Sequence, residues 1–262
     1  MKRRILLIDA DILVYQVACS AEVPIDWGED FWTLHSDFQE ARTDLDGRIE
    51  AIKDTLGGDE MLFALTTTDK NFRKDVYPQY KSNRKATRKP LVWKPLRQYL
   101  HDTYGDKVFE RPCLEGDDCL GILATKLGPL TKTSAPGWER ILVSIDKDFK
   151  GVPCKYYNLN KPDEGVIEIS EAEADYFFML QTLTGDTTDG YPGCPGIGPK
   201  KAAEALEPFN NLKDWWQAVV SVYRRAGLGE DVALSQARCA RILRASDYDF
   251  KNKKPKLWEV PK

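Results

Sequence analysis

Three short apolar runs, each followed within a few residues by aspartate, constrain the fold of this chain more than any other feature. The runs are Ile5–Ile8, Met61–Leu65 and Ile141–Ile145. Continuous runs of this length are typical of strands buried on both faces of a parallel sheet. Shorter strands are predicted at 108–111 and 155–159, and helix-like stretches such as 119–127 lie between strands. This alternation predicts an α/β fold with a mostly parallel central sheet flanked by helices.

The strand signals end near residue 170. Beyond it the sequence predicts helices at 171–183, 200–206, 212–225 and 233–243. Ser170 is the expected N-cap of the first of these, with Glu173 as its capping-box partner. A loop rich in Gly and Pro follows, at 185–199. We therefore expect a core at 1–170, which includes a basic region at 70–97, and a helical subdomain at 171–262.

Charge is unevenly distributed along the chain. The formal net charge is −3, yet residues 70–97 carry ten Lys and Arg and one acid. Such segregation is typical of a protein that meets phosphates with one surface and metal ions with another. Lys81 and Arg84 could bind a scissile phosphate and stabilise the transition state, and Tyr80 could stack on a base. The alternative is a solvated helix face, but the interleaved Tyr80 and Trp93 favour DNA contact.

Cysteine and histidine usage excludes several classes of site. The six cysteines contain no CxxC pair, and the two histidines lie far from any cysteine cluster. A disulfide framework and a Cys/His zinc site are therefore not expected. The first residues do not form a signal peptide, and no segment approaches the roughly 20 apolar residues that span a membrane. We expect a protein of the reducing cytoplasm with no membrane partner.

Carboxylates follow the apolar runs. In parallel α/β sheets, ligands bind beyond the carboxyl ends of the strands, so Asp9, Asp146 and Asp148 should converge, with Asp69 as a further candidate. The segment Glu115–Asp118 adds acids at an expected helix start. Any one of these acids could simply cap a helix. Several together repel one another unless a cation neutralises them. Mg²⁺ suits such a site, and two ions about 3.5–4 Å apart can hold both oxygens of a phosphodiester displacement.

A glycine-rich loop is the sharpest local motif. Gly193, Gly196 and Gly198 have the spacing of a helix–hairpin–helix turn, and Lys200 and Lys201 follow. Glycine lets the backbone approach a phosphate, which the N–H groups of the next helix and the lysines can bind without reading base sequence. An ordinary turn and a dinucleotide-binding loop are the alternatives. The second should follow a strand, whereas this loop follows a predicted helix.

The motifs together resemble a known family. In chain order they are Ile8–Asp11, Tyr80–Arg84, Glu115–Asp118, Ser144–Phe149, and Gly185–Gly190 with its glycine loop. With them the chain resembles the 5′-nuclease (flap-endonuclease-like) superfamily along nearly its whole length, and especially the 5′→3′ exonucleases of T-odd bacteriophages. The resemblance implies a PIN-like nuclease domain and a C-terminal helical subdomain with a helix–hairpin–helix (H3TH) motif.

The resemblance also implies roles for individual residues. The first metal would be held by Asp9, Glu115 and Asp117, helped by Asp69, and the second-metal side would comprise Asp118, Asp146, Asp148, Asp186 and Asp189. Lys81 and Arg84 match the cations at the base of the family's helical arch, and they would act with Asp9 and Asp146 in catalysis. The glycine loop would bind the duplex, with K⁺ held by its carbonyl groups.

The implied activity is hydrolysis of duplex DNA from 5′ ends, in phage DNA replication or degradation, with two Mg²⁺ ions that Mn²⁺ can replace. Flap cleavage and hydrolysis of the RNA of RNA–DNA hybrids are further implied activities, and we expect a monomer. The segment after Arg84 is short for an arch and is interrupted by Pro90 and Pro95. Action on duplex ends is therefore favoured over flap cutting.

Two other functions fit part of the sequence. Haloacid-dehalogenase-like phosphatases also carry an apolar strand that runs into Asp-x-Asp, as at Asp9–Asp11, with Asp as a covalent nucleophile. That hypothesis leaves the glycine loop and the basic region unexplained. A DNA-binding protein without catalysis is the second alternative, and it predicts gaps in the set of acids.

Overall fold

The computed structural model describes residues 2–84 and 88–261. The strands are β1 (Arg4–Asp9), β2 (Val23–Asp26), β3 (Trp32–His35), β4 (Glu60–Ala64), β5 (Val108–Phe109), β6 (Glu139–Ser144), β7 (Cys154–Asn158), β8 (Val166–Ile169), β9 (Tyr248–Asp249) and β10 (Lys254–Pro255). The α-helices are α1 (Ala10–Ser20), α2 (Phe38–Leu56), α3 (Arg73–Val76), α4 (Trp93–Tyr104), α5 (Gly116–Thr125), α6 (Glu171–Thr184), α7 (Pro199–Leu206), α8 (Leu212–Arg225) and α9 (Glu230–Ala240). Within the described ranges, every helix is too short or too polar to cross a lipid bilayer.

A six-stranded sheet, with strand order β5-β4-β1-β6-β7-β8, forms the centre of the fold. All neighbouring strands in it are parallel except β8, which pairs antiparallel with β7. In the central strand β1, Ile8 lies opposite Phe63 of β4 and Val143 of β6. The three apolar runs are thus adjacent strands, and the predicted fold class is confirmed.

Helices cover both faces of this sheet. Successive side chains of a strand point to opposite faces. Leu6 and Ile8 accordingly pack with residues of α1, α2 and α4, whereas Ile5 and Leu7 pack with residues of α5. All four side chains are at most 1% exposed, which explains why the run is apolar at every position.

Three pieces of strand structure were not predicted from the sequence. They are the edge strand β8, the separate β2–β3 hairpin between α1 and α2, and the short β9–β10 pair, which lies beyond residue 170 where no strand was expected. Pro24 and the acids of this hairpin interrupt the apolar alternation that marks a strand. Burial does not organise the hairpin either, because all but two of its residues 23–35 are exposed.

Helices α6 to α9 enclose a second apolar core, in which Trp216 and Tyr223 are fully buried. The predicted capping box of α6 is present: Glu173 N–H donates to Ser170 Oγ, and Ser170 N–H donates to Glu173 Oε2. Helix α8 has the predicted bounds, while α9 begins at Glu230, three residues before the predicted start.

The division of the chain at residue 170 stays a prediction. Helix α6 does begin at Glu171, directly after the last strand of the central sheet. However, Ile242, Leu243 and Tyr248 pack in the same core as Ile5 of β1. The end of the chain therefore returns to the N-terminal part and helps to bury it.

Candidate active site

The carboxyl ends of β1 and β6 bring Asp9, Asp146 and Asp148 to one edge of the sheet. Asp9 is 3% exposed, and its Oδ2 accepts a hydrogen bond of 2.6 Å from Ser144 Oγ. The Asp148 N–H donates to Asp146 Oδ1 at 2.8 Å, in the turn that follows β6. Because β1 and β6 are parallel neighbours, their ends meet at this edge. Metal binding by these acids stays a prediction.

The site concentrates negative charge in a partly buried place. Burial, together with the charges of Asp11 and Asp146, raises the pKa of Asp9 to about 7. Burial and the charge of Asp146 raise the pKa of Asp148 to about 7 as well. Ordinary aspartates have a pKa near 3.9. Ionising all of these acids together is therefore costly unless a cation shares the site.

The start of α5 contributes two more acids. Burial, together with the charges of Asp9 and Asp146, raises the pKa of Asp117 well above its ordinary value, so Asp117 belongs to the same cluster. Glu115, the N-cap residue of α5, behaves in the opposite way. Burial acts to raise its pKa, but the charges of Lys81 and Arg73 and the hydrogen bonds from Lys81 and Tyr80 together outweigh burial, so the pKa is lowered.

Asp118 was predicted on the second-metal side, and this prediction is wrong. Its carboxylate is fully buried and receives two hydrogen bonds of 2.7 Å from the Arg73 guanidinium. The same two oxygens accept the N–H groups of Leu243 at 3.1 Å and Glu115 at 3.2 Å. All of its accepting positions are used, so Asp118 fixes the start of α5 rather than binding an ion.

Lys81 and Arg84 lie among the acids, and their contact with a scissile phosphate stays a prediction. Lys81 Nζ contacts Glu115 Oε1 and lies 3.5 Å from Asp189 Oδ1. Arg84 Nη2 lies 2.5 Å from the same Asp189 oxygen, with its side chain half exposed. The two cations thus neutralise carboxylates at the mouth of the cluster, where a phosphate could approach them.

Tyr80 was predicted to stack on a base, and the structure contradicts this. The residue is 1% exposed, with its ring 6.3 Å from the Tyr191 ring. Its hydroxyl lies 3.0 Å from Glu115 Oε2 and 2.7 Å from Asp189 Oδ2. A buried ring cannot receive a base, so Tyr80 instead ties an acid of α5 to an acid of the loop after α6.

The acids of the loop after α6 reach back to the cluster. Asp186 Oδ1 accepts the N–H groups of Thr188 and Asp189, which orders the loop. The charges of Asp186 and Asp189 both contribute to the raised pKa of Asp148. Gln181 of α6, which the sequence did not single out, donates to Asp148 Oδ1 at 2.8 Å. The helical part of the chain therefore completes the site.

Asp69 is the one predicted acid that the structure does not bring to the others. It is exposed, and within 2–84 and 88–261 its side chain makes no hydrogen bond or ion pair. Its role stays a prediction. Asp11, which was not among the predicted ligands, lies near enough to Asp9 for its charge to raise the pKa of Asp9. Its carboxylate accepts Arg97 Nη1 at 2.5 Å and the Thr66 N–H at 2.6 Å.

The glycine-rich loop connects α6 to α7, so it follows a helix, which argues against a dinucleotide-binding loop. Gly193 is buried, and its N–H donates to Gln236 Oε1 at 2.9 Å. Its predicted contact with DNA is therefore wrong. A Cβ at position 193 would lie 2.3 Å from the backbone nitrogen of Gly185. Only glycine therefore fits at position 193.

The remainder of the loop is open to solvent. Gly196 and Gly198 are exposed, as are Lys200 and Lys201 in the first turn of α7. Lys201 Nζ donates to the Gly196 carbonyl oxygen at 3.1 Å, which folds the lysine over the loop. The exposed backbone of the loop and two exposed lysines thus lie at the start of α7, where a phosphate can be bound.

The acidic cluster suits divalent cations by its donor chemistry. Carboxylate oxygens are the ligands that Mg²⁺ and Mn²⁺ prefer. Burial first, and the charges of neighbouring carboxylates second, raise the pKa of Asp9, Asp117 and Asp148, and a bound cation would offset both effects. Within residues 2–84 and 88–261, no three acid, histidine or cysteine side chains already converge in ligating geometry. The side chains would therefore have to turn toward an ion when it binds.

Comparison with known proteins agrees with this site. Residues 4–173 match the family model described as "5′-3′ exonuclease, N-terminal resolvase-like domain". The exodeoxyribonuclease of Enterobacteria phage T3 is 30% identical over 97% of this chain and 92% of its own length. The exonuclease of Escherichia phage T7 is 30% identical over 97% of this chain and 93% of its own length.

A solved structure shares the fold. It is the flap endonuclease of bacteriophage T5 in a pseudo-enzyme–product complex with DNA and metal ions. The TM-score is 0.62 at 14% identity, over 92% of this chain and 89% of that chain. At this identity the likeness concerns the fold, which is that of the PIN-like flap nucleases.

The two alternative functions are not supported. The matched family model and the two phage relatives are nucleases, which favours a nuclease over a phosphatase of the haloacid-dehalogenase type. A protein that has lost catalysis should lack acids of the site, yet Asp9, Glu115, Asp117 and Asp146 are all in place around one sheet edge. The chain belongs to the 5′-3′ exonuclease family of nucleases.

Proposed function

We propose that the protein is a divalent-metal-dependent 5′→3′ exodeoxyribonuclease that hydrolyses phosphodiester bonds of duplex DNA from 5′ ends. This proposal rests mainly on one observation: basic side chains contact the acidic cluster at one edge of the sheet. Lys81 contacts acids from both sides of the cluster, Glu115 of α5 and Asp189 of the loop after α6. Duplex DNA is the proposed substrate because the exposed glycine loop suits phosphate contact.

The proposed ions are two Mg²⁺, with Mn²⁺ able to replace them. One would be held by Asp9, Glu115 and Asp117, and the other by Asp146, Asp148, Asp186 and Asp189. When bound, such a pair activates a water molecule and stabilises the charge on the leaving 3′ oxygen. The T5 neighbour, crystallised with DNA and metal ions, supports this proposal.

The cations of the chain would act on the scissile phosphate. Arg84 is half exposed, so its guanidinium can leave Asp189 and bind a phosphate oxygen. Lys81 is less exposed and lies between Glu115 and Asp189, which fixes its ammonium beside the cluster. Both would stabilise the negative charge that develops on the phosphate in the transition state.

Tyr80 offers a test of the metal site. Tyr80→Phe removes the hydroxyl that contacts Glu115 and Asp189 but keeps the buried ring. We expect affinity for Mn²⁺, measured by titration calorimetry, to fall about tenfold, since groups that orient ligands commonly contribute this much. Tyr77→Phe is the matched control, because in the described residues the Tyr77 hydroxyl makes no hydrogen bond. Unchanged Mn²⁺ affinity in Tyr80→Phe would contradict this role.

The glycine loop is proposed to bind the duplex through its phosphates, with K⁺ held by its carbonyl groups. Lys200→Ala should weaken DNA binding several-fold and lower the slope of log K against log salt by about one, because one phosphate contact is lost. Binding is measured by fluorescence anisotropy of a labelled duplex over a range of KCl concentrations.

Lys132→Ala provides the matched control for this loop variant. Its side chain is 93% exposed and lies outside the loop, so the slope should stay unchanged. An identical slope for Lys200→Ala and the wild type would remove the loop from the DNA-binding surface.

Duplex ends are the proposed substrate rather than long flaps. Arg84 bonds to Asp189 on one side, and Arg88 forms two hydrogen bonds of 2.7 Å with Glu22 on the other. Only residues 85–87, which lie outside the described part of the chain, separate these two contacts. Chain of this length spans at most roughly 15 Å. We propose that so short a segment between two anchored arginines favours action on duplex ends over threading of a long flap.

Two substrates that share one duplex test this preference. One has a blunt 5′ end, and the other carries a long single-stranded 5′ flap. We expect kcat/KM to be at least about tenfold higher for the blunt end, a free-energy difference of roughly 1.4 kcal/mol. Faster cleavage of the flap, with inhibition by streptavidin bound at its tip beforehand, would show that the strand threads through the protein.

Several finer properties are part of the same proposal. The RNA of RNA–DNA hybrids could be cut because the proposed contacts read phosphates and not bases. The enzyme is proposed to act as a monomer in the bacterial cytoplasm, in phage DNA replication or degradation. Sedimentation of the purified protein tests the monomer, and a labelled RNA–DNA hybrid tests the second substrate.

A further inference from the structure

Residues 23–35, which comprise β2, β3 and the turn between them, form an aromatic hairpin on the surface. Trp27 is 64% exposed, Phe31 61% and Trp32 57%. Among the described residues, the three apolar cores contain no residue of this hairpin. These aromatic side chains therefore do not contribute to the packing of the fold. Three exposed aromatic side chains within six residues of one hairpin are typical of an interaction surface.

The hairpin holds its aromatic side chains in a fixed arrangement. The Trp27 backbone N–H donates to the Phe31 carbonyl oxygen at 2.9 Å, and Trp27 Nε1 donates to Thr33 Oγ1 at 2.8 Å. Glu29 and Asp30 have left-handed backbone, with φ of 52° and 59°. Residues other than glycine rarely adopt this backbone conformation, because their Cβ atom makes it strained. The turn is thus a specific structure rather than an irregular loop.

Contacts at its base attach the hairpin to the body of the protein. The flanking residues Ala21 and Phe38 pack against the core around β1. Glu22 accepts hydrogen bonds from Arg88 and from the Leu91 N–H, at 2.7 Å. A surface that is already ordered loses little conformational freedom when a partner binds, which favours affinity.

The charge around the patch indicates the chemistry of its partner. Residues 22–41 contain six acids and no Lys or Arg. Within the described chain, Asp26, Glu29 and Asp30 form no ion pair. Carboxylates at this density repel the phosphates of nucleic acid and attract cationic protein surfaces. Arg88 of the basic region reaches the base of the hairpin, but Glu22 neutralises it there, whereas the turn segment 26–30 contains acids and no Lys or Arg.

We propose that the aromatic hairpin is a docking site for a protein partner whose surface carries Lys and Arg around an apolar centre. Trp27, Phe31 and Trp32 would enter the apolar centre, and Asp26, Glu29 and Asp30 would pair with the surrounding cations. Aromatic residues at the centre of an interface commonly dominate its affinity. This site is separate from the proposed nuclease activity and does not depend on it.

A defined peptide probe tests the proposal on the full-length protein. The probe is a fluorescein-labelled amphipathic helical peptide of Leu and Lys. The control peptide has Glu in place of Lys. We expect anisotropy to show binding of the Leu/Lys peptide that weakens at least about tenfold in Trp27→Ala/Trp32→Ala. Asp26→Asn/Glu29→Gln/Asp30→Asn should weaken it similarly, and added salt should weaken it in the wild type. The Leu/Glu peptide should not bind.

Leu127→Ala is the control, because Leu127 is 92% exposed and lies outside the hairpin. It should bind the Leu/Lys peptide like the wild type. Equal binding by the wild type and Trp27→Ala/Trp32→Ala would overturn the proposal. A loss of affinity for single-stranded DNA, with peptide binding unchanged, would assign the hairpin to nucleic acid instead. Sedimentation of a dimer that only the tryptophan variant loses would assign it to a second copy of the chain.

Discussion

Asp146→Asn is expected to lower the rate of DNA cleavage about a thousandfold or more while leaving the fold intact. The substitution removes a carboxylate that lies among the other acids at the end of β6 and that would hold an ion. The Asn side chain keeps an oxygen that can accept the Asp148 N–H, as Asp146 does now. Cleavage is measured as the single-turnover rate on a labelled duplex at saturating Mg²⁺.

The same substitution should not destabilise the protein. The charge of Asp146 raises the pKa of Asp9, Asp117 and Asp148, so its removal relieves repulsion. Without divalent metal we expect the melting temperature to stay equal or to rise, and the stabilisation by Mg²⁺ to shrink. Asp163→Asn, at an exposed acid outside the site, is the control for both measurements. Normal turnover by Asp146→Asn would remove Asp146 from the active site.

Arg73→Met is expected to be the most destabilising single change that we consider. Arg73 is 2% exposed, and its guanidinium bonds to Asp118 and to the carbonyl oxygens of Cys239 and Arg241. Methionine would leave the fully buried Asp118 without a cation, which commonly costs about 3–5 kcal/mol. In a chain of this size, that corresponds to a fall of roughly 10 °C in melting temperature.

A double-mutant cycle separates the ion pair from the packing of the side chains. Asp118→Leu in the Arg73→Met background removes the unpaired charge, so the double variant should be more stable than Arg73→Met alone. Stability is measured by urea unfolding at neutral pH. A loss under about 1 kcal/mol in Arg73→Met would mean that the Arg73–Asp118 pair does not hold α3, α5 and the end of α9 together.

The sequence predicted the sheet and much of the acidic cluster for a physical reason. Strands buried on both faces must be apolar at every position, so Ile5–Ile8 and Ile141–Ile145 stand out without any alignment. The acids that follow these runs must lie at the carboxyl edge of a parallel sheet. Asp9, Asp146 and Asp148 were therefore predictable from their position in the chain alone.

The roles of individual side chains near the cluster were harder to predict. Arg73 is one of ten cations in the basic region, and nothing in its neighbours marks it as the one that turns inward. Its partner carbonyl on Cys239 lies 166 residues away, so only the tertiary fold shows the contact. Tyr80 and Asp118 were assigned to DNA and metal for the same reason, since burial is not visible in a local motif.

The aromatic hairpin shows a different limit. Its strands are not organised by burial, and hydrophobic periodicity is a signal of burial. Trp27 and Trp32 alternate with acids and glycine rather than with a repeating polar pattern. Residues that face a partner rather than the core do not follow a hydrophobic periodicity. The amino-acid composition of the hairpin was therefore its only signal in the sequence.

Digestion of one linear duplex, labelled at either the 5′ or the 3′ end of the same strand, tests the central claim most directly. The reactions contain Mg²⁺ or EDTA, with Asp146→Asn as the inactive control. We expect early loss of the 5′ label, later shortening of the 3′-labelled strand from its 5′ end, and no reaction in EDTA. Loss of the 3′ label first, or equal cleavage in EDTA, would contradict a metal-dependent enzyme that degrades DNA from 5′ ends.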